Sequence, residues 1–180
     1  MRPHLPWLGQ GDIFRAVPVI VVSKLVGAGN VEAEATTGPA VLLTHDCAMD
    51  KPDKVTGSPR VERLQFARLR SIDALPPDQR RSLRQGAHKD GPFDILYLDG
   101  VGEFGECFFL LNDPFYLPAA YFRLLLTTHP EHVEAESPEA HYTTPRANDT
   151  RFGRIDEPQL VLMRRKMVAY WTRFKPDGLI

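Results

Sequence analysis

Ala40-Val41-Leu42-Leu43-Thr44 runs directly into His45-Asp46-Cys47, and this passage sets both the architecture and the first place to look for function. The apolar run is too short for a helix, follows the turn signal Gly38-Pro39 and ends on polar residues. That is the pattern of a strand buried on both faces. Upstream, Asp12-Ile13-Phe14 begins a strand that resumes at Val17-Pro18-Val19-Ile20-Val21-Val22, another β-branched run read as buried on both faces. Pro18 cannot donate to a ladder, so it marks an edge position or a bulge. Gly27, Gly29 and Asn30 form a turn, Val31 to Ala35 a short return strand, and Gly38-Pro39 a second turn. Pro3, Pro6 and Gly9 to Gly11 suit an extended lead-in, with Trp7 tucked against the fold.

Downstream, His45 to Pro59 is polar and reads as a loop. Leu64 and Phe66 alternate with polar neighbours, which predicts a short strand ending near Arg68. Pro76-Pro77-Asp78 opens a short helix, Gln79 to Gln85, stopped by Gly86. Asp94 to Leu98 and Glu106 to Leu111 form a hairpin across a glycine-rich loop, closed by Asn112-Asp113-Pro114. Tyr121 to Thr127 is ambiguous between a strand and a helical turn. Residues 128–154 lose all period and read as a long surface loop. Asp156, Glu157 and Pro158 then cap and start a helix in which Leu160, Met163, Met167, Tyr170 or Trp171, and Phe174 recur at helical spacing. It is expected to pack on the sheet and present Arg164, Arg165 and Lys166 near its outer edge.

These elements predict a single α+β domain over residues 1–180: a small, strongly bent β-sheet or SH3-like barrel with a short central helix and a packed C-terminal helix. A chain of 180 residues with 43% hydrophobic and 25% charged residues can bury a core without staples. Cys47 and Cys107 are too few for a disulfide framework, and free thiols suit a reducing cytosol. The longest apolar run, Val17 to Val26, falls well short of the roughly 20 residues that cross a bilayer, and no signal peptide fits. The expected location is therefore cytoplasmic, with no membrane partner. Net charge is −1, but residues 60–91 hold 8 basic and 4 acidic side chains whereas 92–157 hold 4 and 12. Such blocks either pair within the fold or form separate faces, and internal pairing is the reading we favour.

Several places gather reactive side chains. Strand ends project groups from a rigid frame, so Asp12, His45, Asp46 and Cys47 are the candidate catalytic residues. An imidazolium lowers a nearby thiol pKa, yet residues two apart on an extended chain do not readily bring ring to sulfur. His45 and Cys47 therefore suit a shared ligand or a structural turn better than a nucleophile–base dyad. Cys107, among phenylalanines and leucines, reads as core. No Cys-x-x-Cys or His-Glu-x-x-His pattern exists, and neither a metal nor a cofactor is expected. His129, His132 and His141 stand among Glu131, Glu134, Glu136 and Glu139, a pattern best read as a solvated loop. Arg68, Arg70, Arg80, Arg81, Arg84, Arg164 and Arg165 could track a phosphate backbone. Gly100-Val101-Gly102-Glu103-Phe104-Gly105 matches Gly-x-Gly-x-x-Gly, but a strand follows it instead of the required helix, so it reads as a hairpin loop.

Gly11-Asp12-Ile13-Phe14, a buried strand, and then Gly38-Pro39 leading into Ala40 to Thr44 resemble the start of the plasmid-maintenance barrel toxins of the PemK/MazF family. The resemblance covers about the first quarter of the chain and implies an SH3-like barrel, a shape used to bind RNA, DNA or protein. His45-Asp46-Cys47 replaces the family's usual residues after Thr44, so its ribonuclease activity is not implied. The expected function is a binding module for nucleic acid or a protein partner, of phage or mobile-element type. The alternative is a nuclease-like or thiol-dependent enzyme using His45-Asp46-Cys47.

Overall fold

The computed structural model describes residues 1, 7–26, 30–49, 61–86, 94–127, 139–143 and 150–172. The fold is α+β, built on antiparallel strands with a C-terminal helix. β1 (Asp12–Val26) and β2 (Asn30–Leu42) form a long hairpin, to which β3 (Arg63–Arg68) and β7 (Pro114–Pro118) add on one side and β10 (Arg151–Arg154) on the other. The resulting sheet has the order β10-β1-β2-β3-β7. β4 (Arg70–Ser71), β5 (Ile95–Leu98) and β6 (Cys107–Leu110) make a second sheet, ordered β4-β6-β5. β8 (Arg123–Thr127) and β9 (Glu139–Thr143) pair as a two-stranded ribbon.

Where one strongly bent sheet was expected, two sheets form, and the chain passes from one to the other at Leu69. β3 ends at Arg68 and β4 begins at Arg70, so one extended segment leaves the first sheet and enters the second. At the corner the Leu69 N–H donates to Pro39 O at 2.9 Å, and the buried Leu69 side chain fills the angle between the sheets. The barrel alternative is not what forms. The terminal strands of the larger sheet, β10 and β7, are not paired with each other among the described residues.

Ala40 to Leu43 behaves as its sequence dictates. Val41 and Leu43 face one core, shared with the second sheet and the C-terminal helix; Ala40 and Leu42 face another, on the opposite side of the sheet. Ile13 and Phe14 divide the same way. The second core is aromatic, with Phe66 edge-on to Phe14 at 5.6 Å and stacked with Phe115 and Phe122 at 5.7 and 5.9 Å.

The turn expected at Gly38-Pro39 does not form; β2 runs through it. Phe14 pairs with Ala40 and Val17 with Gly38, so Arg15 and Ala16 together oppose Pro39 in a β-bulge. A bulge asks for no ladder donor at that point, which accommodates a residue lacking an N–H. Pro18 pairs with Thr37 beyond the reach of β10, which pairs only with Asp12 to Phe14, and so occupies an edge position among the described residues. Tyr121 to Thr127 resolves into a 3-10 turn, Ala119–Tyr121, followed by strand β8. The predicted loop over 128–154 is corrected in two places, since Glu139–Thr143 and Arg151–Arg154 are strands; residues 128–138 and 144–149 lie outside the described residues.

The helices follow their end signals. α1 (Asp46–Met49) is a single turn where a loop was expected. α2 (Pro77–Gly86) is the central helix and buries no residue. α3 (Glu157–Thr172) starts as predicted, with Asp156 Oδ1 accepting from Gln159 N at 3.2 Å. Leu160 and Met163 are fully buried against the first core, with Met167 and Tyr170 beside them. Each fully buried side chain of this kind contributes about 1.5–3 kcal/mol. Lys166 is not at the outer edge: it is buried, and its Nζ donates to Ile95 O at 2.8 Å, tying α3 to β5. Phe174 lies outside the described residues.

Candidate functional site

Leu43, Thr44 and His45 carry the chain from β2 to α1. Gln65 N donates to Thr44 Oγ1 at 2.7 Å, and Leu43 N donates to Gln65 O at 2.8 Å, so the crossing is fixed from β3. Met49 anchors the far end of α1 in the aromatic core. Asp46, at the first position of that turn, faces a group of charged and amide side chains gathered from both ends of the chain. Its Oδ1 accepts from Gln10 N at 2.6 Å. Arg154 Nη2 stands 3.4 Å from each carboxylate oxygen, and Arg164 Nη2 is 3.2 Å from Oδ2.

Gln10, 1% exposed, joins these partners. Its Nε2 donates to Leu43 O at 2.8 Å, its Oε1 accepts from Arg164 Nε at 2.7 Å, and its backbone carbonyl accepts from Arg154 Nε at 2.9 Å. Asp12 lies beneath, fully buried, with Oδ2 accepting from Gly9 N at 2.9 Å. Arg154 Nε is 3.7 Å from Asp12 Oδ1, and Arg151 Nη1 is 4.0 Å from Oδ2. Glycine at position 9 admits the guanidinium, because a Cβ there would lie 2.5 Å from Arg154 Nη2. Buried charge on this scale is tolerated only when paired, and here two carboxylates face three guanidinium groups, with Asp12 Oδ1 paired through charge at 3.7 Å and not through a hydrogen bond.

The predicted catalytic residues are thus partly brought together. Asp12 and Asp46 share Arg154, but Asp12 is sealed from solvent and Asp46 is engaged by cations and a backbone N–H. That arrangement suits anchoring better than proton transfer, which needs a carboxylate within reach of a substrate. His45 is exposed, and Cys47 lies on α1. Cys107 belongs to the first core, as its neighbours in sequence predicted; it is a free thiol whose S–H meets Phe104 O at 3.4 Å. Burial, with a smaller effect from Asp73, pushes its pKa up to about 11. The Gly-x-Gly-x-x-Gly stretch is the expected hairpin loop, with a 3-10 turn at Gly102–Phe104, and Glu103 pairs with Arg15 at 2.7 Å. Among the described residues no His, Cys, Asp and Glu group has the arrangement of a metal site.

Most of the arginines nominated for phosphate contact meet carboxylates of this chain. Arg70 pairs with Asp113 at 2.5 Å, Arg80 with Asp73 at 3.3 Å and Arg164 with Asp46 at 3.2 Å. Arg84 forks onto Glu106, with Nε 2.8 Å from Oε1 and Nη2 2.5 Å from Oε2. Arg68 is half-buried in β3, while Arg81 and Arg165 are exposed. Pairing of the basic block 60–91 with the acidic block 92–157 is therefore visible in two of these contacts, Arg70–Asp113 and Arg84–Glu106.

Glu106 also accepts from the Tyr97 hydroxyl. The hydrogen bond from Arg84, then that from Tyr97, holds the Glu106 carboxyl down to about 2. Burial first, and then the neighbouring Glu106, raises the Tyr97 hydroxyl to about 12. This group forms one wall of a cleft of about 460 Å³ between α2, the β5–β6 hairpin and the start of α3, whose other walls include Asp99, Asp156, Pro158 and Leu162.

Gln10, Arg151 and Arg154 were missed from the sequence, as was the Tyr97–Glu106–Arg84 group. An acid at the start of an apolar strand was the available signal, since a buried Asp12 requires a cation. No family model matches this chain, and no curated protein matches it.

Proposed function

We propose that the protein is a non-catalytic binding module for a protein partner, with the exposed side of α3 as its contact surface. The observation that carries this reading is the exposed apolar set on α3: Val161 and Val168, seven positions apart on the side turned away from the core, and Trp171 in the last turn, on the stripe of Leu160 and Met167 but beyond the packed core; they are 45%, 63% and 55% exposed. Val161 and Trp171 are ten positions apart, about 15 Å along the helix axis. Arg165 stands between the two valines on the same side of the helix, so the complementary partner is a segment that presents apolar side chains to Val161 and Val168. Aromatic and arginine side chains on such a surface are the types that dominate protein–protein binding energy.

Nucleic acid is the less favoured partner, because Arg70, Arg80, Arg84 and Arg164 are engaged with carboxylates. A thiol or nuclease reaction at His45-Asp46-Cys47 is less favoured because the Asp46 carboxylate is committed to Arg154 and Arg164. The test starts with capture on immobilised protein, then identifies the partner and rebuilds the complex from purified components. Replacing Val168→Gln and Trp171→Gln together is expected to weaken that complex at least tenfold, with the thermal midpoint unchanged. Full affinity in the double variant, or tight salt-dependent binding of a 20-nucleotide oligonucleotide, would refute the reading.

A further inference from the structure

We infer that the outer edge of β5 takes an extended segment of the protein partner as an added strand, seated in the cleft between that edge and the start of α3. The inference rests on the partner reading above and adds how part of the partner is held. Leu111 N donates to Asp94 O at 2.7 Å, so that pair is hydrogen-bonded. Bonded and non-bonded pairs alternate along an antiparallel ladder, which makes Leu96–Phe109 a bonded pair and Ile95–Leu110 and Tyr97–Phe108 non-bonded ones. The backbone N–H and C=O groups of Ile95 and Tyr97 therefore point away from β6. Two further contacts agree. On the other side of β6, Ile72 N donates to Glu106 O at 3.2 Å, and the same alternation turns the Phe108 groups toward Arg70 of β4. Ile95 O accepts from Lys166 Nζ, a side chain that approaches from outside the ladder. At Tyr97 neither outward group meets another backbone group among the described residues.

The cleft lies on that edge, because its walls stand on both sides of it. Arg84 and Glu106 belong to the outer side of the second sheet, while Pro158 and Leu162 belong to α3, which packs on the inner side through Leu160 and Met163. α3 is tied to β5 at Lys166, and the gap opens over the two turns before it, at Leu162 and Pro158. Its volume of about 460 Å³ lies within the range of ligand pockets. Other sheet edges carry devices that stop a further strand from adding: β7 has Pro114 and Pro118, and β4 is two residues long. β5 has neither, since Ile95–Leu98 contains no proline and its register with β6 is unbroken. Successive side chains of an added strand alternate in direction. One set meets Pro158 and Leu162 and is apolar; the other faces Tyr97 and the Arg84–Glu106 pair and is polar. Main-chain bonds to Tyr97 supply the affinity, and that alternation supplies the selectivity. The occupant is thus a short segment of alternating apolar and polar residues.

The experiment is a ¹H–¹⁵N NMR titration of the full chain with acetyl-Lys-Thr-Val-Thr-Val-Thr-amide and with versions of it N-methylated at one residue at a time. The expected result is saturable shifts at Tyr97, Asp99, Gln159 and Leu162, with the Tyr97 amide protected from hydrogen exchange. N-methylation removes a donor, and only every second N–H of an added strand faces β5. Binding should therefore fall roughly tenfold or more for alternate positions and stay unchanged for those between. Tyr97→Pro removes the outward N–H at an edge position, where proline is tolerated, and should abolish binding. Tyr97→Phe, which loses the same hydroxyl contact to Glu106, should keep it. The peptide scan needs no variant and decides alone if the proline chain does not fold. Equal loss at every position, no saturable shift up to about 5 mM peptide, or shifts confined to other surfaces overturns the added strand. A concentration-dependent dimer that Tyr97→Pro abolishes assigns the edge to a second copy and overturns the partner assignment. Val168→Gln with Trp171→Gln is expected to leave peptide binding intact. Absence of peptide binding beside an intact α3-dependent complex therefore refutes the added strand alone, and the reverse result refutes the partner reading alone.

Discussion

Asp46→Ala separates an anchoring role from a chemical one. The substitution removes the acceptor of the 2.6 Å bond from Gln10 N and the counter-charge of Arg154 and Arg164. A hydrogen bond to a charged group contributes about 1.5–3 kcal/mol. Because the Asp46 side chain is 32% exposed, each ion pair is discounted to roughly 0.2–1 kcal/mol. The expected loss is about 2–5 kcal/mol, a large part of the roughly 5–15 kcal/mol that holds a domain folded. For a chain of this length that corresponds to a fall of about 4–20 °C in the thermal midpoint. Urea unfolding followed by tryptophan fluorescence measures it directly. Asp46→Asn, which keeps one acceptor oxygen, should lose less than the alanine variant. A double-mutant cycle with Arg164→Met should show coupling of at least about 0.5 kcal/mol. An alanine variant within about 0.5 kcal/mol of the parent, with no coupling to Arg164, would refute the anchoring argument and return Asp46 to the list of reactive groups.

The Glu106 carboxyl is held near 2 in the folded state against 4.5 in its absence. Its contribution to stability is therefore complete above about pH 4.5 and is lost as the pH falls through about 2. Glu106→Gln should flatten the pH dependence of the urea midpoint across that window; an identical slope in the two proteins would contradict the Arg84–Glu106–Tyr97 geometry. The Cys107 thiol, buried and raised to about 11, should resist iodoacetamide in the native protein and react once urea is added, as followed by peptide mass spectrometry. Rapid native labelling at Cys107 would show that the first core opens there.

What could be read from the sequence was what a single period determines. Ala40 to Leu43 alternate between two cores because both faces of the strand are covered, and an unbroken apolar run is the signature of that situation. α3 was legible at its start because Asp156, Glu157 and Pro158 each have one local reason to be there. Gly38-Pro39 was misread because proline marks a turn when judged alone, whereas the bulge it occupies is created by Arg15 and Ala16 on another strand. Arg151 to Arg154 was misread for a related reason. A strand that places arginines inward has no hydrophobic alternation, and only Asp12 and Asp46, far away in sequence, explain it. The candidate site was legible as a position, the end of β2, but not as chemistry, since the cations that engage Asp46 come from β10 and α3. The place where the chain changes sheets, at Leu69, is fixed by a bond to Pro39 from another strand and could not be located from the sequence.

The pairing of β10 with β1 also dictates an order of assembly. Arg154 and Gln10, which share a buried hydrogen bond, are 144 positions apart. Closing so long a loop is entropically costly, and contacts of that span form slowly. Until they form, the Asp12 carboxylate has neither Arg151 nor Arg154 and stays hydrated, because an unpaired charge cannot enter an apolar interior cheaply. The start of β1 must therefore remain open while the rest of the hairpin zips up. On a chain emerging from the ribosome, the segment through Arg154 has to be synthesised before the start of β1 can be sealed.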